Sequence, residues 1–114
     1  MQEITTNDEL NECLERSKEA PLFVFKHSTR CPISARANSR VAEYLQSGQE
    51  NIPGFYMLKV VESRPLSLAL ADRVGVEHQS PQLLLIDQGK CTWNTSHHNI
   101  NAENIEEAIG GSTA

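Results

Sequence analysis

Residues 21–34 read PLFVFKHSTRCPIS, and this stretch decides the fold because it predicts a buried strand that passes directly into a helix. The apolar run over 22–25 is too short for a helix and is rich in aromatic and β-branched side chains. Pro32 is typical of the first position of a helix, where its missing N–H costs nothing. Cys31 is therefore predicted to be the cap residue of that helix.

A cysteine at the start of a helix has the surroundings of a reactive thiol. The unpaired N–H groups of the first turn and the positive end of the helix dipole both stabilise a thiolate, which is the nucleophilic form of sulfur. The segment from Lys26 to Arg40 also holds four basic residues and no acidic one, in a chain whose net charge is −5. We therefore predict an electropositive site around Cys31. For Arg36 and Arg40, which stand four apart, a solvated helix face is the alternative interpretation.

Composition indicates one globular domain over residues 1–114, since the hydrophobic content is 39% and the charged content 22%. The acidic pI of about 5.3 argues against nucleic acid as the main partner. Residues 1–8 are polar and acidic, unlike a secretory signal, and no stretch is long and apolar enough for a membrane span. Three cysteines without a close pair fit a reducing compartment. We expect a cytoplasmic monomer with no membrane partner.

The remaining patterns predict an α/β protein with the element order αβαβαββα. Thr6 and Glu9 form a capping box that begins a helix ending near residue 18. Helical spacing and apolar runs predict further helices over 32–48, 65–75 and 101–109, and strands over 21–27, 55–61, 82–87 and 90–95. The first two strands are expected to be parallel and the last two antiparallel, which gives a four-stranded mixed sheet flanked by helices. Residues 110–114 are expected to be a frayed tail.

This order, with a cysteine between the first strand and the second helix, resembles the thioredoxin-like fold. Within that fold, the sequence resembles the monothiol bacilliredoxins, whose motif reads T-C-P-I-S. The residues that carry the resemblance are Thr29-Arg30-Cys31-Pro32-Ile33-Ser34, then Ser80-Pro81-Gln82, then Ser96-His97. Arg30 departs from the motif, because many relatives have another small or polar residue there. The resemblance implies that the Ser80–Pro81 bond is cis, although most X–Pro bonds are trans.

The resemblance also implies a function, which is the removal of bacillithiol from mixed disulfides on cytosolic proteins. Bacillithiol is a small anionic thiol, and it would be a cosubstrate rather than a bound cofactor. Cys31 would attack the bacillithiol sulfur and release the thiol of the client protein. Thioredoxins have a second cysteine three residues on, but Ser34 stands there in this chain. The mechanism is therefore expected to use one thiol.

Several roles remain open at the level of sequence. Ser34 can donate a hydrogen bond to the thiolate or can be an ordinary first-turn serine. The backbone of Ser80, beside Pro81, can pair with an extended client segment, while a proline that only begins a strand is the alternative. Ser96 and His97 can hydrogen-bond the carboxylates of the small thiol or form a plain turn.

The other thiols and the histidines have less specific patterns. Cys13 lies on a predicted apolar helix face and Cys91 in a strand, so both are interpreted as inert thiols rather than resolving partners. His97 and His98 are adjacent and would point to opposite faces of a strand, so we expect no metal site. His27 is close enough in sequence to act as a proton acceptor, but no carboxylate is placed to orient it.

Two other kinds of protein are compatible with this fold. One is a monothiol glutaredoxin-like protein that holds an iron–sulfur cluster, which Pro32 disfavours because that family has glycine directly after the cysteine. The other is a non-catalytic adaptor that binds extended peptides beside Pro81.

Overall fold

A mixed five-stranded sheet lies at the centre of the protein, whose computed structural model describes residues 1–48 and 51–113. In chain order the strands are β1 (Gln2–Glu3), β2 (Leu22–His27), β3 (Gly54–Lys59), β4 (Gln82–Asp87) and β5 (Lys90–Ser96). Across the sheet they lie in the order β1-β3-β2-β4-β5. Strands β1 and β2 run parallel to β3, whereas β4 runs antiparallel to β2 and β5. The predicted mixed pairing is confirmed.

Four α-helices cover the two faces of the sheet. They are α1 (Asn7–Arg16), α2 (Pro32–Gln46), α3 (Arg64–Val74) and α4 (Ala102–Thr113), and a single 3₁₀ turn spans His97–Asn99. Helices α1 and α3 pack on one face around Val24 and Leu84, while α2 and α4 pack on the other around Phe23 and Phe25. Strand β2 is buried on both faces because it lies at the middle of the sheet. It therefore reads as a continuous apolar run rather than an alternating one.

Local signals in the sequence set several of these boundaries. Thr6 caps α1 by accepting a hydrogen bond from the Glu9 N–H at 3.1 Å, and the Glu9 carboxylate accepts in return from the Thr5 N–H at 2.9 Å. Gln88 and Gly89 both have positive φ angles, 55° and 73°, as a tight turn between β4 and β5 requires. Both predictions are confirmed, except that the backbone N–H that donates to the Glu9 carboxylate belongs to Thr5 rather than to Thr6.

Two predictions about the ends of the chain are wrong. The sheet has five strands rather than four, because β1 adds a parallel pair at one edge that is too short to show a strand pattern in the sequence. Helix α4 continues to Thr113, four residues beyond the predicted end at residue 109. Buried Ile105 and Ala108 anchor this helix, and glycine weakens an anchored helix without ending it. Ala114 lies outside the described residues.

Candidate active site

Cys31 lies at the junction between β2 and α2, as the sequence predicts. It is the N-cap of α2, with extended backbone angles of φ −114° and ψ 122°, and Pro32 begins the helix. Its carbonyl accepts the first helical hydrogen bond, from the Ala35 N–H at 3.0 Å. The side chain is a free thiol and is partly exposed. The sulfur is therefore attached at the positive end of a 15-residue helix and is within reach of a substrate.

The proline before β4 lies at the same end of the sheet as Cys31. The Ser80–Pro81 bond is cis, as the family resemblance implies. Because Lys26 pairs with Gln82, Pro81 comes next to the end of β2, from which the Cys31 loop begins. The Pro81 carbonyl also accepts a hydrogen bond from the His97 N–H at 3.1 Å. The structure thus brings three predicted segments together, namely 29–34, 80–81 and 96–97.

Ser34 is hydrogen-bonded to His27 and Ser28, at the end of β2 and the start of the Cys31 loop. It is fully buried, its hydroxyl accepts a hydrogen bond from the Ser28 N–H at 2.9 Å, and its Oγ lies 2.7 Å from Nδ1 of His27. Burial lowers the pKa of His27, so the imidazole is neutral near pH 7 and shares a single hydrogen bond with the Ser34 hydroxyl through Nδ1. The Ser34 hydroxyl therefore joins the Cys31 loop to the end of β2, as an ordinary first-turn serine can.

The basic residues around the thiol are arranged less simply than their spacing suggests. Lys26 is fully buried on the opposite face of the sheet from α2, and Arg40 donates to the carbonyls of Ile100, at 2.6 Å, and His97, at 3.1 Å. Arg40 is therefore not part of a solvated face, and only Arg30 and Arg36 of the four are exposed. The four basic residues therefore do not form one exposed cluster at the thiol.

A carboxylate that the local sequence does not reveal also reaches the Cys31 loop. Thr29 donates a hydrogen bond to Glu62 at 3.1 Å, and both side chains are exposed. Glu62 follows β3, which lies beside β2 in the sheet. Only the pairing of these strands places this negative charge beside the thiol loop, so the spacing of charges along residues 26–40 cannot predict it.

The other two cysteines lie away from Cys31. Cys13 packs in the core between α1 and the sheet, on the face opposite α2, and burial raises its pKa to about 11. Cys91 pairs with Ile86 on β4, four residues beyond Gln82 and so roughly 14 Å along the strand. Burial raises the pKa of Cys91 as well, and its thiol donates to the Trp93 carbonyl at 3.2 Å. Neither thiol has the position or the ionisation of a resolving partner in this fold.

The histidines near the site are dispersed. His97 is exposed and has a positive φ of 55°, and His98 is also exposed. Within residues 1–48 and 51–113, no group of three or more His, Cys, Asp or Glu side chains is placed to hold a metal ion. In the same part of the chain, no helix has both the length and the apolar character needed to cross a membrane.

The sequence patterns do not predict the buried polar side chains of Lys26 and Gln82, which lie beside the loop that leads into Ser80 and Pro81. Lys26 donates to the Ser67 carbonyl and to Nδ1 of His78, both at 3.0 Å. Gln82, which is 1% exposed, donates to the Glu77 carbonyl at 3.2 Å. The sequence does carry one signal for this group, which is a lysine directly after the apolar run of β2. Because β2 has a neighbouring strand on each side, that lysine is buried.

The fold and the helix-capping cysteine define a class of protein, which is the thiol–disulfide oxidoreductase of thioredoxin fold. A solved structure described as a candidate oxidoreductase with a thioredoxin fold is 32% identical, covers 95% of this chain and 92% of its own, and has a TM-score of 0.82. Fasciola hepatica thioredoxin is 18% identical over 97% of this chain and 98% of its own, with a TM-score of 0.73. Malassezia sympodialis thioredoxin is 16% identical over 100% and 91%, with a TM-score of 0.76. The two thioredoxins support the fold alone.

Residues 2–105 match the family model described as monothiol bacilliredoxin BrxC. The chain therefore belongs to the monothiol bacilliredoxin family, as the motif around Cys31 indicates.

Proposed function

We propose that the protein removes bacillithiol from mixed disulfides on cytosolic proteins through Cys31. The Cys31 thiolate attacks the bacillithiol sulfur, the bond between that sulfur and the client sulfur breaks, and the client leaves as a thiolate that takes up a proton. Cys31 is then joined to bacillithiol through a new disulfide. A second molecule of the small thiol attacks this disulfide, which regenerates Cys31 and releases the small thiol as its own disulfide.

The position of Cys31 is the observation that supports this reaction best. Cys31 lies at the start of α2 and is partly exposed, whereas Cys13 is buried and Cys91 lies at the other end of β4. The first turn of α2 offers no second thiol, because position 34 is a serine, whose hydroxyl is bonded to His27. Discharge of Cys31 by an external thiol follows from this arrangement. The three free cysteines are also compatible with a reducing cytoplasm.

The surroundings of Cys31 suggest how each half of the substrate is bound. On one side, the Ser80 backbone beside the cis-proline would pair with an extended segment of the client. On the other side, Arg30, Ser96 and His97 would bind the carboxylates of the small thiol, since these side chains are exposed or partly exposed. Pro32 and Ile33 would support the thiol by forming the first turn of α2.

A debacillithiolation assay tests the proposal. The substrate is a purified protein that carries bacillithiol on a single cysteine, and mass spectrometry follows the loss of the bacillithiol mass in the presence of free bacillithiol. We expect the wild-type protein and Cys91→Ser to release it and Cys31→Ser to be inactive. A mixed disulfide with glutathione serves as the comparison substrate. Equal turnover of both substrates would contradict the assignment of bacillithiol, and activity that persists in Cys31→Ser would contradict the assignment of the nucleophile.

The same variants separate catalysis from peptide binding. A non-catalytic adaptor would bind an extended peptide equally well with Cys31 or alanine at that position, and it would show no turnover with either. Loss of turnover in Cys31→Ala while peptide binding is retained supports a catalyst that also recognises the client backbone.

A further inference from the structure

The loop over residues 75–81, which leads from α3 into the cis-proline, is hydrogen-bonded to two buried side chains, Lys26 and Gln82. Lys26 of β2 reaches it through His78, and its second hydrogen bond goes to the Ser67 carbonyl of α3. Gln82 of β4 donates to the Glu77 carbonyl at 3.2 Å and accepts from the Gln79 N–H at 3.4 Å. Since Lys26 and Gln82 are partners in the pairing of β2 with β4, the two supports are adjacent.

These contacts connect four parts of the fold at one place. They join β2, α3, the loop and the start of β4, directly before the peptide bond that we propose to face the substrate. Val24 and Leu22, on the same face of β2, are packed in an apolar core. An apolar side chain at position 26 would continue this core, whereas a buried ammonium has to be compensated by hydrogen bonds. The polar contacts therefore fix the orientation of the loop, which apolar packing alone would not specify.

We propose that Lys26 and His78, with Gln82, are positioning residues that orient the Ser80–Pro81 backbone for the substrate disulfide bound at Cys31. The inference rests on the proposed role of that backbone in binding the client. It predicts that loss of the network weakens substrate binding and leaves the thiol itself unchanged. Neither Lys26 nor His78 touches the reacting sulfur atoms in this arrangement, so their effect is transmitted through the loop.

The test compares two reactions of the same cysteine. Turnover of a protein mixed disulfide requires the loop, whereas alkylation of Cys31 by iodoacetamide does not. For Lys26→Met and His78→Leu we expect KM for the mixed disulfide to rise about tenfold or more, because a displacement of the binding backbone of about 1 Å is enough for such losses. The alkylation rate at Cys31 is expected to stay within about twofold of wild type. His78→Gln retains an acceptor for Lys26 and is expected to restore most of the binding.

A matched control separates this role from a general loss of stability. Val24→Ala removes buried volume from the same face of β2 but removes no hydrogen bond to the loop, so it lowers stability and is expected to leave KM unchanged. His78→Leu tests the same link at a partly exposed side chain if Lys26→Met does not fold. An unchanged KM in the folded variants would overturn the inference, as would an alkylation rate that falls in parallel with turnover.

The design also distinguishes this inference from the proposed function. Each variant is measured with bacillithiol and with glutathione on the same client protein. If the wild-type protein uses only the glutathione mixed disulfide, the assignment of bacillithiol fails and the KM comparison is made with glutathione. If neither mixed disulfide is turned over, both proposals fail.

Discussion

Replacing Lys26 by methionine is expected to change how the stability of the protein depends on pH. Lys26 is fully buried in the structure and is bonded to a carbonyl and an imidazole rather than to a carboxylate. Burial lowers its pKa from 10.5 to about 8. The folded protein therefore holds this proton less tightly than the unfolded chain does, so the buried charge opposes folding wherever both states are protonated.

The size and sign of the effect follow from that pKa. Each pKa unit corresponds to about 1.4 kcal/mol, so lowering the pKa from 10.5 to about 8 gives about 3 kcal/mol. Below pH 8 both states carry the proton and the full cost is present. Between pH 8 and 10.5 the unfolded chain binds the proton and the folded protein does not, so stability rises with pH.

At pH 7 the methionine variant and the wild type are expected to have similar stability, because two effects oppose each other. The variant loses the cost of the buried charge, but it leaves the Ser67 carbonyl and His78 without their partner, at about 1–3 kcal/mol each. Above pH 8 the comparison changes. By pH 10 the wild type is expected to have gained about 2–3 kcal/mol relative to the variant.

Urea denaturation from pH 7 to pH 10, with a phosphine reductant to keep the thiols reduced, measures this difference. The unfolding free energies of both proteins change with pH because other groups titrate, but subtracting one curve from the other removes those shared contributions. A difference between the two proteins that stays constant within about 1 kcal/mol over the whole range would refute the argument that the buried Lys26 ammonium is destabilising.

Three further predictions concern individual contacts at the site. Ser34→Ala leaves the Ser28 N–H without its acceptor, so it is expected to lower the free energy of unfolding in urea by about 1–3 kcal/mol. Arg40→Met removes two hydrogen bonds to carbonyls and is expected to lower the free energy of unfolding by about 2 kcal/mol in the same assay. A decrease below about 0.5 kcal/mol would show that water replaces these bonds without loss of stability. In native iodoacetamide labelling, Cys31 is expected to react first and Cys13 only in denaturant, because burial raises the pKa of Cys13 to about 11; early labelling of Cys13 would contradict its burial.

The part of the fold that contains the thiol could be predicted from local sequence. The apolar run of β2, the loop to Cys31 and the proline of α2 are consecutive in the chain, so their signals do not depend on distant residues. The capping box at Thr6 and the turn at 88–89 are local for the same reason. Strand β1 lacked such a signal, because two residues acquire a strand conformation only through their pairing with β3.

The directions of the polar side chains could not be predicted in this way. Lys26 and Arg40 stand near the thiol in the sequence, but the residues that bind them come from 41 to 60 positions further along the chain. Whether a basic residue contributes to the field at a site depends on which face of the sheet it points to and on which carbonyls it meets there. The charge pattern alone therefore does not show which of the four basic residues are exposed beside Cys31.

The residue at position 34 shows how the structure and the chemistry of the site are linked. Its hydroxyl bonds both the Ser28 N–H and the His27 ring, so it stabilises the loop that presents Cys31. A cysteine in its place would be a weaker donor and acceptor with a longer bond to carbon, and it would loosen those contacts while supplying a resolving thiol. Serine therefore keeps the loop ordered and, in the proposed reaction, leaves the Cys31 disulfide to an external thiol. The side chain that stabilises the loop thus occupies the position that a local resolving cysteine would need.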